Sequence, residues 1–240
     1  MKAAAASGAS RASGRANVAA GTLRVCFVGD SITAGVGDAR WLGWPIRLCA
    51  REAANGGDVT PYNLGVRGDT SNDIRRRWRQ ECSTRLAPEW AGGIVFAFGI
   101  NDTCDRGGRR RVSLCRSVAN ATSVVTSAAS WRPTLWIGPH FVSAARSPWR
   151  VVTNAVVHDF RNERIKELSE AFAAVAHDHN IPYLDLCRLL PGSAGWTASL
   201  ARGDGIHPDA RGHARLAAIV GGWIAWRALV GPPGGAPGAR

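Results

Sequence analysis

The stretch LRVCFVGDSIT, residues 23–33, decides the fold class of this chain. Residues 23–28 are an apolar run of the kind that forms a buried strand, and Gly29, Asp30 and Ser31 follow directly as a turn signal. Open α/β sheets carry their sites just past the carboxyl ends of such strands. The stretch therefore predicts a parallel α/β sheet with Ser31 at its functional edge.

Similar apolar runs recur along the chain, and segments of helical length separate them. The predicted strands are 23–28, 58–64, 93–98, 133–138 and 181–186, and the predicted helices are 43–54, 71–86, 111–130, 155–179 and 209–229. This alternation is typical of parallel βαβ units. We predict a three-layer α/β/α fold in which helices cover both faces of a five-stranded parallel sheet.

The length of 240 residues and the hydrophobic content of 45% suit one domain with a sizeable core. Residues 1–21 are mainly Ala, Ser and Gly, without a secretory apolar segment, and residues 230–240 are mainly Gly, Pro and Ala. We expect flexible tails at both ends of a domain spanning 22–229. No run approaches the ~18 apolar residues of a membrane span, so none is expected.

Three later segments carry polar groups suited to catalysis: GVRGD at 65–69, GIND at 99–102 and DGIHP at 204–208. A serine hydroxyl becomes a good nucleophile when a base takes its proton, and a carboxylate improves the base by fixing its tautomer. Ser31, His207 and Asp204 suit these roles, since Asp204 can reach the imidazole within one tight turn.

A tetrahedral intermediate also requires hydrogen-bond donors, each worth ~3 kcal/mol. The candidates are the backbone N–H groups of Ser31 and Gly68 and the side-chain amide of Asn101. Each segment alone is an ordinary turn or loop signal, and only their joint occurrence favours a working site. The Gly-x-Ser-x-Gly elbow of the α/β-hydrolases is absent, because position 33 is Thr.

At these residues the chain resembles the SGNH hydrolases, the GDSL-type esterases and lipases. The family residues fall on Ser31, Gly68, Asn101, Asp204 and His207. The resemblance covers residues 23–226 and departs from the family name only at Ile32, where the name has leucine. It implies strand order 2-1-3-4-5, a small-molecule ester substrate and acyl transfer to water through an acyl-enzyme. No histidine or cysteine spacing suggests metal ligands, so we predict no metal and no organic cofactor.

Asp30, Trp149 and Trp196 are the predicted substrate contacts. The segments 140–152 and 189–203, which contain the two tryptophans, can either wall an acyl pocket or serve as plain connections with aromatic rims. Esters of short to medium acyl chains are the predicted substrates. The alternatives are a carbohydrate O-deacetylase, or a lysophospholipase or thioesterase of the same mechanism.

The net charge of +12 comes almost entirely from arginine. Within the run 75–79, we predict that Arg75, Arg76 and Arg79 share a solvated helix face while Ile74 and Trp78 turn inward, and phosphate binding is the alternative. The run 109–111 is predicted to begin a helix, where the dipole disfavours cations, so an anionic substrate or acidic surface could use it. An Arg-rich nucleic-acid or anionic-surface binding protein on an inactive hydrolase fold is the alternative from another class. No specific nucleic-acid partner is predicted, and the oligomeric state stays open.

The six cysteines lie mostly in predicted core elements, and the missing secretory segment favours a reducing, cytoplasmic compartment with free thiols. Cys82 and Cys104 are the pair to check for a disulfide.

Overall fold

The computed structural model describes residues 22–147, 149–153 and 155–231. The strands in these ranges are β1 (Leu23–Gly29), β2 (Val59–Gly65), β3 (Gly92–Ala97), β4 (Asp105–Arg106), β5 (Arg109–Arg110), β6 (Thr134–Ile137), β7 (Trp149–Thr153), β8 (Val156–Phe160) and β9 (Tyr183–Leu184). The helices are α1 (Ser31–Ala34), α2 (Gly43–Ala54), α3 (Ser71–Ser83), α4 (Leu114–Ala129), α5 (Asn162–Asp178), α6 (Leu186–Leu189), α7 (Ala194–Arg202), α8 (Ala210–Gly222) and α9 (Ile224–Val230).

The main sheet is parallel and five-stranded, with the order β2-β1-β3-β6-β9. Counting only the strands of this sheet, the order is 2-1-3-4-5, as the family resemblance implies. The predicted α/β fold class is confirmed.

Helices cover both faces of the main sheet because the side chains of its buried strands alternate between two apolar layers. Cys26 and Val28 of β1 belong to the layer beneath α3, α4 and α5. Val25 and Phe27 belong to the layer beneath α2, α8 and α9. The fully buried Trp136 and Trp44 fill these two layers, one in each.

The strand register brings the candidate residues to one edge of the sheet. Gly29 pairs with Gly65 on one side and with Ala97 on the other, so β1, β2 and β3 end at the same level. Ser31, Gly68 and Asn101 follow these ends within a few residues.

A close backbone approach at this edge requires glycine at position 65. A Cβ atom there would lie 2.2 Å from the backbone nitrogen of Ala34, in the helix that begins with Ser31. We expect Gly65→Ala to lower the free energy of unfolding by more than about 2 kcal/mol, because backbone atoms must move to admit the methyl group. Urea denaturation measures this loss. Gly222→Ala is the control: a Cβ there meets nothing within 4 Å, and a loss as large as that of Gly65→Ala would contradict the prediction.

The predicted helix at 155–179 is wrong over its first seven residues. Residues 149–153 and 156–160 form an antiparallel hairpin, and α5 begins only at Asn162. The β-branched pairs Val151–Val152 and Val156–Val157 explain the error, since they favour strands on both sides of a turn in which Ala155 has a φ of 61°. The predicted helix cap at Asn154 lies outside the described residues.

The run 109–111 does not begin a helix, which is a second correction. Arg109 and Arg110 form β5, and α4 begins at Leu114 after the capping side chain of Ser113. Together β5, β4, β8 and β7 form a four-stranded sheet, called the small sheet below, which the sequence did not predict.

Smaller departures concern element ends. Helix α3 stops at Ser83, and the last predicted helix breaks at Trp223, whose ψ of 127° is extended. All six cysteines are free thiols, so Cys82 and Cys104 form no disulfide. No helix in the described ranges is long and apolar enough to cross a membrane. The predicted tail at 230–240 begins one residue too early, because Val230 belongs to α9. The predicted tail at 1–21 and residues 232–240 lie outside the described residues.

Candidate active site

Ser31 stands at the start of α1, directly after β1. The preceding Asp30 caps this helix: its Oδ1 accepts a hydrogen bond of 3.0 Å from the backbone N–H of Ile32. Gly35 ends the helix in the left-handed conformation with a φ of 92°. A short helix with a cap at each end holds Ser31 at the sheet edge.

Asp204 and His207 come from the loop before α8 and meet Ser31 from a distant part of the chain. His207 Nε2 lies 2.9 Å from Ser31 Oγ, and His207 Nδ1 lies 2.6 Å from Asp204 Oδ2. Asp204 Oδ1 accepts the backbone N–H groups of Ile206 and His207, at 2.9 and 2.8 Å. The loop is therefore tied around its carboxylate, and the structure joins the three predicted side chains in one line.

The protonation pattern of this line follows from its hydrogen bonds. Burial alone would raise the pKa of Asp204, but the bonds from His207 and Ile206 outweigh it and lower the pKa to about 2. Asp204 is therefore an anion at neutral pH, and His207 Nδ1 must carry the proton between them. His207 Nε2 is then left as an acceptor for the Ser31 hydroxyl, which is the arrangement that general-base activation requires.

The candidate oxyanion donors lie at the ends of β1, β2 and β3. Asn101 Nδ2 donates to the backbone carbonyl of Asp69 at 3.0 Å and lies 3.4 Å from Asp30 Oδ2. Gly68 has a φ of 79°, and no acceptor for its N–H occurs among the residues that the structure describes. The N–H of Ser31 is the first of its helix and has no intrahelical carbonyl to bond.

One arginine ties two of these strand ends together. Arg77 donates to Asp69 Oδ2 at 2.6 Å and to the carbonyl oxygen of Gly29 at 2.9 Å. Its third contact is with Glu81 at 3.0 Å. The predicted solvated face of this helix agrees with the structure, since Arg75, Arg76 and Arg79 are exposed and Ile74 and Trp78 are buried. The contacts of the partly buried Arg77 were not predicted.

We expect Arg77→Met to lower the free energy of unfolding by about 2 kcal/mol, because the Asp69 carboxylate and the Gly29 carbonyl lose their charged donor. Chemical denaturation near neutral pH measures this loss. Arg75→Met is the matched control, since Arg75 is exposed on the same helix and no ion pair of it occurs in the described part of the chain. Equal losses in the two variants would contradict the prediction.

Asp30 is 2% exposed and bonds to protein groups, although the sequence predicted it as a substrate contact. Burial raises its pKa to about 7, against the smaller opposing effects of the Ile32 N–H and His207. The nearby carboxylates of Asp69 and Asp102 push the pKa in the same direction as burial.

This raised pKa makes the stability of the fold depend on pH. The ordinary pKa of an aspartate is 3.8, so between that value and about 7 the unfolded chain has lost a proton that folded Asp30 keeps. Asp30 therefore contributes stability that is complete below pH 3.8 and lost as the pH rises to about 7.

Asp30→Asn removes this dependence, since asparagine stays neutral and keeps an acceptor for Ile32. We expect its free energy of unfolding, relative to wild type, to rise by up to about 4 kcal/mol between about pH 4 and pH 8. Urea denaturation across this range measures the difference, with the exposed Asp178→Asn as the control. If the difference in free energy of unfolding between Asp30→Asn and wild type does not change with pH, the prediction is wrong.

Trp196 is 3% exposed and stacks edge-on against His140, with ring centroids 5.1 Å apart. It lines a cavity of about 240 Å³ together with Phe141, Leu190 and Leu200. This cavity lies beside the loop that carries Asp204 and His207, the candidate catalytic loop, because its lining residue Ser143 donates a backbone hydrogen bond of 2.7 Å to the carbonyl of Gly205. Trp149 pairs with Phe160 through the backbone, but its side chain lies outside what the structure describes.

No group of three or more His, Cys, Asp or Glu side chains that could hold a metal ion occurs in the described ranges. The groups that the described structure brings together are a serine hydroxyl, an imidazole and a carboxylate.

Comparisons with known proteins point to the same kind of chemistry. Residues 27–215 match the profile of the GDSL-like lipase/acylhydrolase family. A comparison with curated protein sequences gave no significant match.

Solved structures match most of the chain. A lipase/acylhydrolase from Enterococcus faecalis is 26% identical, with a TM-score of 0.65, and the match covers 85% of this chain and 96% of that one. Two further matches share the fold at 18% identity. An acetylxylan esterase from Geobacillus stearothermophilus has a TM-score of 0.60, with 87% and 94% of the two chains covered. The psychrotrophic esterase EstA from Pseudoalteromonas sp. has a TM-score of 0.58, with 81% and 91% covered.

Proposed function

Because the chain belongs to the GDSL-like lipase/acylhydrolase family, we propose that it is a serine hydrolase that cleaves carboxylic esters of short to medium acyl chains. The observation that carries the proposal is the continuous line from Ser31 Oγ through His207 to Asp204, with contacts of 2.9 and 2.6 Å.

In the first half of the proposed reaction, Ser31 Oγ attacks the ester carbonyl carbon while His207 Nε2 takes the hydroxyl proton. The resulting oxyanion is held by the N–H groups of Ser31 and Gly68 and by the Asn101 amide. The carbon–oxygen bond to the alcohol then breaks, and the alcohol leaves with the proton that His207 carries. The acyl group remains on Ser31.

In the second half, His207 removes a proton from water, and the water oxygen attacks the acyl carbon. The tetrahedral intermediate collapses, the bond to Ser31 breaks, and the proton returns to Ser31 Oγ. Asp204 stabilises the imidazolium in both halves without taking its proton.

The cavity lined by Trp196 supports the proposed limit on chain length. Its volume of about 240 Å³ lies below the range of roughly 300 to 1,000 Å³ that is common for sites binding larger ligands. Its apolar lining beside the catalytic loop suits a short alkyl group.

The test is hydrolysis of p-nitrophenyl esters from acetate to palmitate, together with labelling by an alkyl p-nitrophenyl phosphonate. We expect highest kcat/KM at short to medium chain length and one phosphonyl group per protein, on the peptide containing Ser31. An optimum at acetate would favour the deacetylase alternative. Absence of both hydrolysis and labelling in folded protein would refute the proposal.

A further inference from the structure

The two faces of the small sheet differ in how their charges are balanced. On one face, Asp105 pairs across the strands with Arg110 and Asp159, and Asp159 pairs with Arg150. These carboxylates are neutralised, because Arg164 bonds to Asp105 and Arg150 bonds to Asp159. Across this face, the two facing carboxylates of Asp105 and Asp159 lie between arginines.

On the opposite face, two arginines and a histidine lie side by side. Arg106 lies directly opposite Arg109 on one side and opposite His158 on the other. Paired residues of an antiparallel sheet project from the same face, so these three side chains form one row. Arg111 follows two residues after Arg109 and continues the ladder through a backbone bond of 2.9 Å to Cys104. We call Arg106, Arg109, Arg111 and His158 the cationic row.

No carboxylate in the described residues forms an ion pair with the three arginines of the cationic row. Arg106 and Arg109 are exposed, while Arg111 and His158 are half-buried. Like charges directly opposite each other destabilise a sheet, so the arrangement has a cost that a bound anion would offset.

The cationic row reaches the proposed oxyanion hole. Arg111 Nη2 donates a hydrogen bond of 2.8 Å to the carbonyl oxygen of Gly68, the residue whose N–H is a proposed oxyanion donor. Arg106 and Arg111 both lie close to His158: burial chiefly, and then these two guanidinium groups, lower its pKa. Arg111 therefore connects the cationic row to the strand end that carries Gly68.

We propose that the cationic row is a subsite for an anionic group of the substrate, a carboxylate or a phosphate, in an ester that Ser31 cleaves. Guanidinium groups suit this role because their planar forks bind both oxyanions through paired hydrogen bonds. The inference rests on the proposed function, and it narrows the substrate class from esters in general to esters bearing a negative charge.

The test compares kcat/KM for p-nitrophenyl butyrate with that for mono-p-nitrophenyl glutarate, which adds a carboxylate to the same acyl chain. Phenyl acetate and p-acetoxybenzoate make the same comparison on the alcohol side. We expect Arg106→Gln and Arg109→Gln each to lower the anionic-to-neutral ratio about tenfold, since each removes a charge-assisted contact. The matched control Arg51→Gln removes one exposed charge from the last turn of α2 and should leave the ratio unchanged.

Added sodium chloride should lower the ratio for wild type, because salt screens exposed charges. If inorganic phosphate inhibits competitively and Arg106→Gln weakens this inhibition, phosphate is the anion that the row binds better. Inhibition by acetate alone would favour a carboxylate. If all variants hydrolyse neutral esters and have the same anionic-to-neutral ratio of kcat/KM, the proposed subsite is wrong but the proposed function stands. Absence of hydrolysis of every ester would overturn the proposed function with it.

Discussion

The Ser31→Ala variant is expected to lose p-nitrophenyl ester hydrolysis by a factor on the order of 10⁶ in kcat. The reason is that Ser31 Oγ, 2.9 Å from His207 Nε2, is the only hydroxyl in the described residues that forms a hydrogen bond with this nitrogen. Without this oxygen the acyl-enzyme cannot form, and the remaining rate comes from water attacking an ester held by the oxyanion donors. That residual path typically exceeds the uncatalysed rate by 10³ to 10⁴.

Steady-state kinetics on the best ester of the chain-length series measures this effect. Ser130→Ala is the control, because Ser130 is exposed at the end of α4, far along the chain from the catalytic loop. The Ser31→Ala variant should unfold at nearly the wild-type urea concentration, since the lost hydroxyl is small and contacts only one side chain in the described structure. A Ser31→Ala protein with more than a tenth of wild-type activity would remove Ser31 from the mechanism.

The second large effect is expected for Asp204→Asn, with a loss of about 10⁴ in kcat. The asparagine oxygen can still accept the backbone N–H groups of Ile206 and His207, so the loop keeps its shape. The amide nitrogen, however, must face His207 Nδ1, and two donors cannot share that contact. The imidazole then carries its proton on Nε2, and a protonated Nε2 cannot accept the proton of the Ser31 hydroxyl.

A kinetic comparison with Asp178→Asn, an exposed position at the end of α5, controls for the loss of one negative charge. The double variant of Ser31→Ala and Asp204→Asn should be no slower than Ser31→Ala alone, because residues acting as one unit are not additive. If the loss in the double variant equals the product of the two single losses, Asp204 acts independently of the Ser31–His207 pair.

The stretch at residues 23–33 and its counterparts after β2 and β3 could be interpreted from sequence because their signals are local. A buried strand followed by Gly, Asp and Ser is a pattern of adjacent residues, and parallel strands bring such ends together whatever the details of packing. For the same reason Asp204 could be paired with His207, three residues away in one turn. The order of the five strands came from the family resemblance, and the sheet agrees with it.

Other parts of the site depend on contacts between distant residues, which no local pattern encodes. Arg77 and Arg111 were read as members of charged runs, yet one binds Gly29 and the other Gly68 across the fold. Val156 and Val157 were predicted within a helix, because the strand that they join depends on partners in other segments, one of which, β4, lies about 50 residues earlier.

The sequence by itself thus determined the fold class and the identity and order of the candidate catalytic groups, since these rest on short-range propensity and motif spacing. Only the tertiary structure decided that Asp30 is buried, that Trp196 borders a cavity and that Arg106, Arg109 and His158 lie side by side on the small sheet. Burial and charge balance are sums over neighbours from several elements, and those neighbours exist only once the chain has folded.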